Sequence, residues 1–393
     1  MQNNLKVSLI TTSLTLSWFW YGIWIPYYLL FTNYAGIGII ETVAIASTFF
    51  FEIPTGAFAD LLGKKRTLQL SFLSVALGNF IMATSLRFPH LLISVFFISL
   101  GNALLSGTNQ AMIFDSLKAV NKESFYEKYL TKINTISILS MAFASIFGGL
   151  LYGINPRIPF FATSLASLLA LFIAFLYEEP KIDTIKFSFA NYLRQNKTGF
   201  NELFKKSVSR LWIIKLLLIT SFIAVLNSIF DNALAIDFGY KEKGLGVLFA
   251  AAIFLAAIGN HFYLKIKKIL GNNKLILIVI ITLIISAIIS PIVGIVLGTF
   301  SLLSRFFIYP FAEIQASNTI NKYVESKYRS TTLSTFTMLY KLPYVLCAFF
   351  VGSLIDSLGA RSSVFYISII FTVITLLIYI IVPKSKRLQM DSK

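Results

Sequence analysis

Apolar stretches long enough to cross a lipid bilayer recur along the whole chain, and they limit the folds open to it. A membrane-spanning helix needs about 20 consecutive, mainly apolar residues. Six predicted spans cover 9–31, 38–58, 68–86, 91–113, 133–154 and 159–177, and six more cover 211–235, 246–266, 275–290, 292–319, 331–354 and 363–382. Because 56% of the 393 residues are hydrophobic and 13% are charged, a soluble fold is excluded. We predict an all-α, polytopic membrane protein with twelve transmembrane helices.

The placement of Lys and Arg predicts the orientation of these spans. Cytoplasmic loops of membrane proteins are enriched in both residues. With the N-terminus inside, the outer loops contain only five of the 34 cations, which are Arg87, Arg157, Lys241, Lys243 and Arg361. We therefore expect a multi-pass protein of a prokaryotic inner membrane with both termini in the cytoplasm. The net charge of +17 follows from this topology and from contact with anionic lipid, because the cations form no single face for nucleic acid.

The chain repeats its own pattern in two halves. Segment 148–157 has the same spacing of Gly and Arg as segment 352–361, and segment 62–65 is echoed by segment 270–273. Internal repeats are typical of secondary transporters. We predict two pseudo-symmetric six-helix bundles, 1–177 and 210–393, and a cytoplasmic connector at 178–209. Both a short amphipathic helix on the membrane surface and a solvated linker are consistent with the connector.

A charged turn joins the second and third predicted spans. The stretch 51–68 reads FEIPTGAFADLLGKKRTL and holds two glycines, an acid and three cations: Gly56, Gly63, Asp60, Lys64, Lys65 and Arg66. Glycine permits a sharp turn, and clustered cations mark the cytoplasmic side. This spacing resembles the loop between the second and third helices of the major facilitator superfamily, and the Glu-Ile-Pro-Thr-Gly step before it resembles the efflux-type members. The resemblance implies a fold of two six-helix bundles and transport by alternating access.

The same resemblance implies gating roles around this turn. In the family the arginine of the loop pairs with an acid at the inner end of the fourth helix, so Arg66 would pair with Asp115. Asp60 would then meet the start of the eleventh helix near 331–334. The gating candidates are Glu52, Gly56, Asp60, Gly63, Arg66, Asp115 and Arg329. One departure concerns the fifth helix, where Gly148 and Gly149 are present but the proline common in drug–proton antiporters is not.

Polar side chains inside the spans are the candidates for binding. An ionisable group within a bilayer usually faces a cavity or a partner. In the family the first, fourth, seventh and tenth helices line the central cavity, and here all four carry polar faces at helical spacing. The candidates for substrate or ion binding are Tyr21, Trp24, Tyr28, Asn102, Ser106, Asn109, Asn227, Asp231, Arg305, Tyr309 and Glu313, together with Lys341 in the eleventh span.

Three charged residues among these candidates leave alternatives open. A desolvated carboxylate holds a proton readily, so Asp231 is the first candidate for a proton or cation site. It is also close to the predicted outer boundary, where a water-filled vestibule would leave it solvated. Arg305 either binds a substrate anion or forms a structural pair with Glu313 or Asp231. Lys341 is either a coupling group or the partner of an acid.

The sequence predicts a transporter and no enzyme. His90 and His261 lie at opposite predicted faces of the membrane, so we expect no histidine–metal cluster, no Ser-His-Asp set and no cofactor. No GxxxxGK[ST] phosphate-binding loop is present, which argues against ATP as the energy source. We expect a monomeric secondary transporter for proton-coupled efflux of a small amphipathic or aromatic compound. The alternatives are transport of an organic anion or zwitterion held by Arg305 and Lys341, and a non-transporting membrane sensor.

Overall fold

The computed structural model describes residues 2–180, 189–205, 207–325 and 328–381, and for some helical residues, including 52–61, the backbone alone. Every regular element in these ranges is a helix. The chain divides into two compact units, Met1–Tyr192 with Lys241–Ala250, and Leu193–Tyr240 with Ala251–Lys393. The predicted first bundle lies inside the first unit. The predicted second bundle does not account for Lys241–Ala250, which belongs to the first unit.

The first unit is built mainly from the helices of the N-terminal half. These are α1 Gln2–Thr15, α2 Trp24–Tyr28, α3 Tyr34–Leu62, α4 Lys64–Ala83, α5 Phe88–Lys118, α6 Tyr126–Tyr152 and α7 Ile158–Ala174, with a 3₁₀ turn at Glu123–Phe125 before α6. Helix α4 packs against α5 and α7, and α1 packs against α5, α6 and α7. The polar residues of α1 therefore lie against three neighbours.

Small residues bring α4 and α5 into close contact. The Ser71 hydroxyl donates to the Gly101 carbonyl at 2.7 Å, and the Ser94 hydroxyl donates to the Gly78 carbonyl at 2.7 Å. A Cβ atom on Gly101 would lie 2.8 Å from the Ser71 carbonyl oxygen. Glycine and serine at such crossings let two helix backbones approach closely and form hydrogen bonds across the interface.

The second unit contains the helices of the C-terminal half. These are α8 Phe189–Phe204, α9 Ser207–Val225, a π-helical turn Leu226–Phe230, α10 Asp231–Asp237, α11 Glu242–Ile288, α12 Ile295–Tyr323 and α13 Arg329–Ile381, of which α8 and α11 begin in the first unit. Helix α9 packs against α12 and α13. The rings of Phe222 and Phe371 stack with centroids 4.0 Å apart, and the Trp212 indole donates to the Thr319 hydroxyl at 3.1 Å.

Glycines mark the turns between successive spans. Seven helical segments of the described chain are long and apolar enough to cross a membrane, and α11 and α13 each cover two predicted spans. These two helices turn at Gly271 (φ 73°) and Gly359 (φ 77°), and Gly63 (φ 84°) lies between α3 and α4. Glycine adopts positive φ without the steric penalty of a side chain. Gly63 and Gly271 occupy matching positions of the predicted repeat, so the two halves turn in the same way there.

The connector contains a helix, α8, although residues 181–188 lie outside the described ranges. Gly199 is buried, and a Cβ atom there would lie 2.7 Å from the Thr335 hydroxyl oxygen on α13. Leu203 is buried as well, whereas Phe200 is 48% exposed. Helix α8 therefore presents one packed face and one exposed face, and its place on the membrane surface stays a prediction.

The first predicted span is not one continuous helix. Helix α1 ends at Thr15 and α2 begins at Trp24, so the prediction of an unbroken helix over 9–31 is wrong. Two hydrogen bonds between residues two positions apart replace the helical pattern, from Trp18 N to Leu16 O at 2.9 Å and from Phe19 N to Ser17 O at 3.1 Å. Such bonds are those of γ-turns, which reverse the chain within three residues.

Candidate functional site

The fourth span has an accessible polar stripe on α5. Asn102 is half-buried, and Ser106 and Gln110 are exposed. These residues are four positions apart, so they lie on one face of the helix. Apart from the backbone of α5 itself, no described residue has a heavy atom within 4 Å of a Cβ built on the adjacent Gly107, so this face is open.

Asn109, predicted to belong to that stripe, is buried and points into the first unit. It accepts a hydrogen bond from the Ser8 hydroxyl at 2.8 Å and donates to the Thr12 hydroxyl at 3.1 Å. Asn109 therefore links α5 to α1, and its role as a binding residue is not supported. Gln110 takes its place, and the spacing of four from Ser106 was the signal that could have identified it.

The candidates of the first span lie on and after the break between α1 and α2. Tyr21 and Trp24 are half-buried, whereas Tyr28 is buried. The ring centroids of Trp24 and Tyr28 are 5.4 Å apart, in edge-to-face contact. The prediction that these three rings share one face of a continuous helix fails, because the chain between Thr15 and Trp24 is not helical.

A buried ion pair occupies the centre of the second unit. Arg305 on α12 and Asp231 at the start of α10 are 0% and 1% exposed, and Arg305 Nη1 lies 2.8 Å from Asp231 Oδ1. The other carboxylate oxygen, Oδ2, accepts a hydrogen bond from the buried Tyr309 hydroxyl. Arg305 also donates from Nε to the Ser286 hydroxyl at 2.8 Å and from Nη2 to the Ser286 carbonyl at 2.9 Å. Of the alternatives for Arg305, the structure selects the pair with Asp231.

This pair changes the interpretation of both residues. Asp231 is not solvated in a water-filled vestibule, and each of its oxygens already accepts a hydrogen bond. Arg305 has a partner at each of its three nitrogens and is fully buried, so a substrate anion does not reach it in this structure. A buried charge pair with satisfied hydrogen bonds fixes the arrangement of the helices that carry it.

A π-helical turn separates Asn227 from Asp231. Asn227 is exposed and Asp231 is buried, although the spacing of four predicts a shared face on an α-helix. The five residues Leu226–Phe230 form the wider π turn, in which hydrogen bonds connect residues five apart. The extra residue rotates Asp231 away from Asn227 and toward Arg305.

Glu313 on α12 is a carboxylate inside a predicted span of the second unit. It is exposed, and its Oε1 accepts a hydrogen bond from the Tyr340 hydroxyl on α13 at 3.0 Å. Arg305, Tyr309 and Ala312, predicted to share its face, are buried instead. Pro310 lies inside α12, between the buried residues Tyr309 and Ala312.

Lys341 follows Tyr340 on α13 and is half-buried. It forms no hydrogen bond or ion pair with any residue that the structure describes. Counted along their helices at about 1.5 Å per residue, Glu313 and Lys341 are roughly 15 and 18 Å from the ends at Tyr323 and Arg329. Glu313 is six residues from the predicted inner end of its span at 319, and Lys341 is ten residues from the predicted start of its span at 331.

The predicted gate is assembled differently from the expectation. Asp115 forms an ion pair with Lys64, with Nζ and Oδ2 2.6 Å apart, whereas Arg66 is exposed. The expected pairing of Arg66 with Asp115 is thus replaced by one with Lys64. The side chains of Glu52, Gly56 and Asp60 lie outside the described ones, and Arg329 is exposed and donates from Nε to the Val324 carbonyl at 3.2 Å. Their proposed gating roles stay predictions.

Glu179 is a residue of this region that sequence reasoning missed. Its carboxylate accepts hydrogen bonds from the backbone N–H groups of Lys64 at 2.8 Å and Lys65 at 2.7 Å. These are the first residues of α4, where free N–H groups and the helix dipole favour an anion. The Lys65 ammonium donates to the Phe175 carbonyl at 2.8 Å, which adds a second link to the end of α7. An acid directly after a span was the available signal.

Among the described residues no group of three His, Cys, Asp or Glu side chains is placed to hold a metal ion. The polar groups inside the spans are instead hydrogen-bonding residues, one ion pair and isolated charges. This chemistry can bind and release a solute or a proton.

Comparison with known families agrees with this arrangement. The family model of the Major Facilitator Superfamily matches residues 7–342. The chain is a member of the major facilitator superfamily. It is accordingly a multi-pass secondary transporter rather than an enzyme, with the all-α fold of that superfamily, and its cargo is a small molecule.

Relatives and solved structures extend the match over the full length of this transporter. It is 24% identical over 389 residues to YxaM, an uncharacterised MFS-type transporter of Bacillus subtilis (strain 168), with 93% of each chain covered. The fold is similar to that of the nucleoside transporter NupG, at a TM-score of 0.80 and 14% identity, covering 96% of this chain and 98% of NupG. It is also similar to a bacterial homologue of the human lysosomal transporter Spinster, at a TM-score of 0.73 and 16% identity, covering 100% and 98%.

Proposed function

We propose that this transporter exports small amphipathic or aromatic compounds in exchange for protons, and that Glu313 is the carboxylate that binds the proton. A binding site that opens alternately to the two sides of the membrane would couple the outward flux of the compound to the inward flux of protons. The observation that carries the proposal is the exposed carboxylate of Glu313 within a membrane helix. An ionisable group at that depth is retained for function more often than for packing.

The surroundings of Glu313 support contact with water rather than lipid. Beyond Pro310 the accessible positions of α12 include Glu313, Ser317, Asn318 and Asn321, of which Ser317 is half-buried and the others are exposed. A stripe of polar side chains disfavours a lipid-facing position and favours an aqueous path. Glu313 has one hydroxyl partner in the described chain, Tyr340, so it can gain and lose a proton without breaking an ion pair.

Asp231, the first candidate from the sequence, is a weaker proton carrier. Protonation would remove the charge that neutralises Arg305 in a site from which solvent is excluded. Leaving a buried charge unpaired costs about 3–5 kcal/mol. We therefore assign Asp231 to the stability of the second unit and Glu313 to proton binding.

Vesicle transport with an imposed pH gradient tests this proposal. Proteoliposomes containing the transporter would be assayed with a panel of aromatic dyes that includes ethidium, and Glu313→Gln would be compared with Glu313→Asp. We expect the Gln variant to lose at least tenfold of the gradient-driven dye flux while dye exchange without a gradient persists. Glu41→Gln, which changes a half-buried carboxylate in another membrane helix, is the control. Unchanged gradient-driven flux in Glu313→Gln would refute the role of this carboxylate.

A second candidate function is transport of an organic anion or zwitterion. Lys341 favours it, because this half-buried cation has no ion-pair partner among the residues described. Arg305 no longer contributes, since Asp231 neutralises it. Uptake of an anionic solute that Lys341→Ala abolishes and Lys341→Arg preserves would favour this function over aromatic export.

The orientation and assembly state complete the proposal. The bias of Lys and Arg toward the predicted inner loops supports cytoplasmic termini in a prokaryotic inner membrane. We propose that the transporter works as a monomer, in which each chain supplies both units. Labelling of single cysteines introduced near either terminus, in intact and in permeabilised cells, tests the orientation.

A further inference from the structure

The break in the first membrane segment is built into the first unit. Residues 16–23 between α1 and α2 are not α-helical, although they lie within an apolar stretch long enough to span. Non-helical backbone at membrane depth is tolerated only where protein or a cavity surrounds it. In transporters, discontinuous helices of this kind are found where substrates and ions bind.

Neighbouring helices hold the broken backbone in place. The Phe19 N–H donates to the Thr163 hydroxyl of α7 at 3.2 Å, and that hydroxyl donates to the Pro159 carbonyl at 3.0 Å. On the other side, Gly148 of α6 lies directly against the Phe19 carbonyl, and a Cβ atom at Gly148 would overlap that oxygen. Gly148 and Thr163 therefore hold the broken backbone at Phe19, and the break is part of the packing of the first unit.

Aromatic side chains are concentrated at this break. Trp18 and Trp20 stack with centroids 5.2 Å apart and planes 15° apart, and the Tyr21 ring is 6.3 Å from Trp18. Trp24 opens α2 immediately afterwards, and all four rings are half-buried, so part of each remains accessible. Three of the four tryptophans of the chain thus lie within seven residues of one another. Accessible indole rings favour a flat aromatic ligand.

Two polar atoms beside the break lack partners. The Trp20 Nε1 and the Ser13 hydroxyl are shielded from solvent and form no hydrogen bond with the described residues. A buried donor without an acceptor costs roughly 1–3 kcal/mol, so it is normally satisfied by a water or a ligand. An indole N–H donates only, and the group that would satisfy it must carry an acceptor.

The charged residues of the first two spans disfavour an anionic ligand. Residues 7–63 contain no Lys, Arg or His, and they contain the acids Glu41, Glu52 and Asp60. An anionic group would find no counter-charge on the first two spans. A neutral or cationic ring is compatible with them.

We propose that the break between α1 and α2 is a binding subsite for a planar heteroaromatic group whose ring acceptor receives the Trp20 indole N–H. This inference rests on the proposed export of aromatic compounds and narrows their class. The stacking surfaces come from Trp18, Tyr21 and Trp24. The indole N–H of Trp20 selects ligands that carry a hydrogen-bond acceptor. Reorientation of the Trp18–Trp20 stack around the ligand would bring the ring nitrogen to Nε1.

Tryptophan fluorescence of the purified protein tests this subsite without any need for transport. In a Trp212→Phe background all three remaining tryptophans lie at the break, so their quenching reports ligand binding there. Acridine and anthracene have the same shape, but only acridine carries a ring acceptor. At pH 8, after correction for ligand absorbance, we expect acridine to bind about five- to tenfold more tightly than anthracene, as one added hydrogen bond predicts. N-methylacridinium has a positive charge and no ring acceptor, so it should bind more weakly than acridine, with an affinity close to that of anthracene.

The variant Trp20→Phe keeps an aromatic ring and removes the donor. We expect it to lower acridine affinity to that of anthracene while anthracene affinity stays within twofold, and the matched control Trp18→Phe to retain the discrimination. Partial unfolding would weaken both ligands alike, so the ratio within one variant stays informative. Equal binding of acridine and anthracene by the parent protein, or no saturable quenching by either, would overturn the proposal. If the parent protein binds acridine more tightly than anthracene but shows no gradient-driven dye flux, the proposed export is refuted and the subsite is not.

Discussion

Replacing Asp231 by Asn would leave the Arg305 guanidinium buried without a counter-charge. In the native protein Arg305 is 0% exposed, and its Nη1 lies 2.8 Å from Asp231 Oδ1. The Asn amide nitrogen cannot accept a hydrogen bond from Arg305, and an Asn oxygen facing Arg305 would leave Tyr309 without its acceptor. One of these two donors therefore loses its partner, in a site that water does not reach.

The expected loss follows from the burial of both partners. Removing one member of a buried ion pair typically destabilises a protein by about 3–5 kcal/mol. For a folded unit of 150–250 residues, 1 kcal/mol lowers the unfolding midpoint by about 2–4 °C, so the variant should unfold roughly 10 °C lower. Arg305→Gln, which leaves the Asp231 carboxylate unpaired, should produce a loss of similar size.

A double-mutant cycle separates the pair from its surroundings. Thermal unfolding in detergent would be measured for Asp231→Asn, Arg305→Gln and the double variant, and the double variant should be more stable than the sum of the single losses predicts by about 1–3 kcal/mol. Glu313→Gln is the control, because its carboxylate is exposed and Gln still accepts from Tyr340. It should change stability by less than about 1 kcal/mol. An Asp231→Asn midpoint equal to that of the native protein, or strictly additive losses, would show that the pair does not hold the unit together.

Three further substitutions test contacts of the first unit. Gly148→Ala should lower the unfolding midpoint or prevent folding, because its methyl group overlaps a neighbouring backbone carbonyl, whereas Gly107→Ala, with no atom within 4 Å of the added Cβ, should be neutral. Glu179→Ala should lower stability by about 1–2 kcal/mol through loss of the cap on α4, and a wild-type midpoint would contradict that role. Lys64→Met should lower the unfolding midpoint more than Arg66→Ala, because Lys64 forms the ion pair with Asp115. A larger loss in Arg66→Ala would instead support the expected pairing of Arg66 with Asp115.

The spans could be predicted from the sequence because they depend on composition and length. Eleven of the twelve predicted segments lie largely in helical regions, whereas the first, 9–31, is interrupted at 16–23. The glycine turns at Gly63 and Gly271 follow from the echo between the halves. The break at 16–23 could not be predicted, since this stretch is as apolar as its flanks. What determines it lies more than 100 residues away, in Gly148 and Thr163, and only folding brings these residues to the chain at Phe19.

The candidate site was predictable in its residue types and less so in its geometry. Helical spacing assumes 3.6 residues per turn along the whole segment. The assumption fails at the π turn, where Asn227 and Asp231 separate. On α12, Arg305, Tyr309 and Ala312 keep one buried face across Pro310, and Glu313 lies outside it. On the regular helix α5 the spacing is correct, and only the choice of Asn109 over its neighbour was wrong.

Asp231 and Glu313, two acids of the second unit, differ in exposure, since Asp231 is buried and Glu313 is exposed, and this difference assigns their roles. A transporter that carries protons needs a carboxylate whose charge can change in contact with water during each cycle. It also needs helices whose relative positions survive that change, and a buried pair serves this purpose because loss of one partner's charge would leave the other buried without a counter-charge. Asp231 is buried in its ion pair with Arg305, whereas Glu313 is exposed and has a single hydroxyl partner in the described chain. The π turn makes this division possible, because it turns Asp231 into the protein while Asn227, four residues earlier, stays exposed.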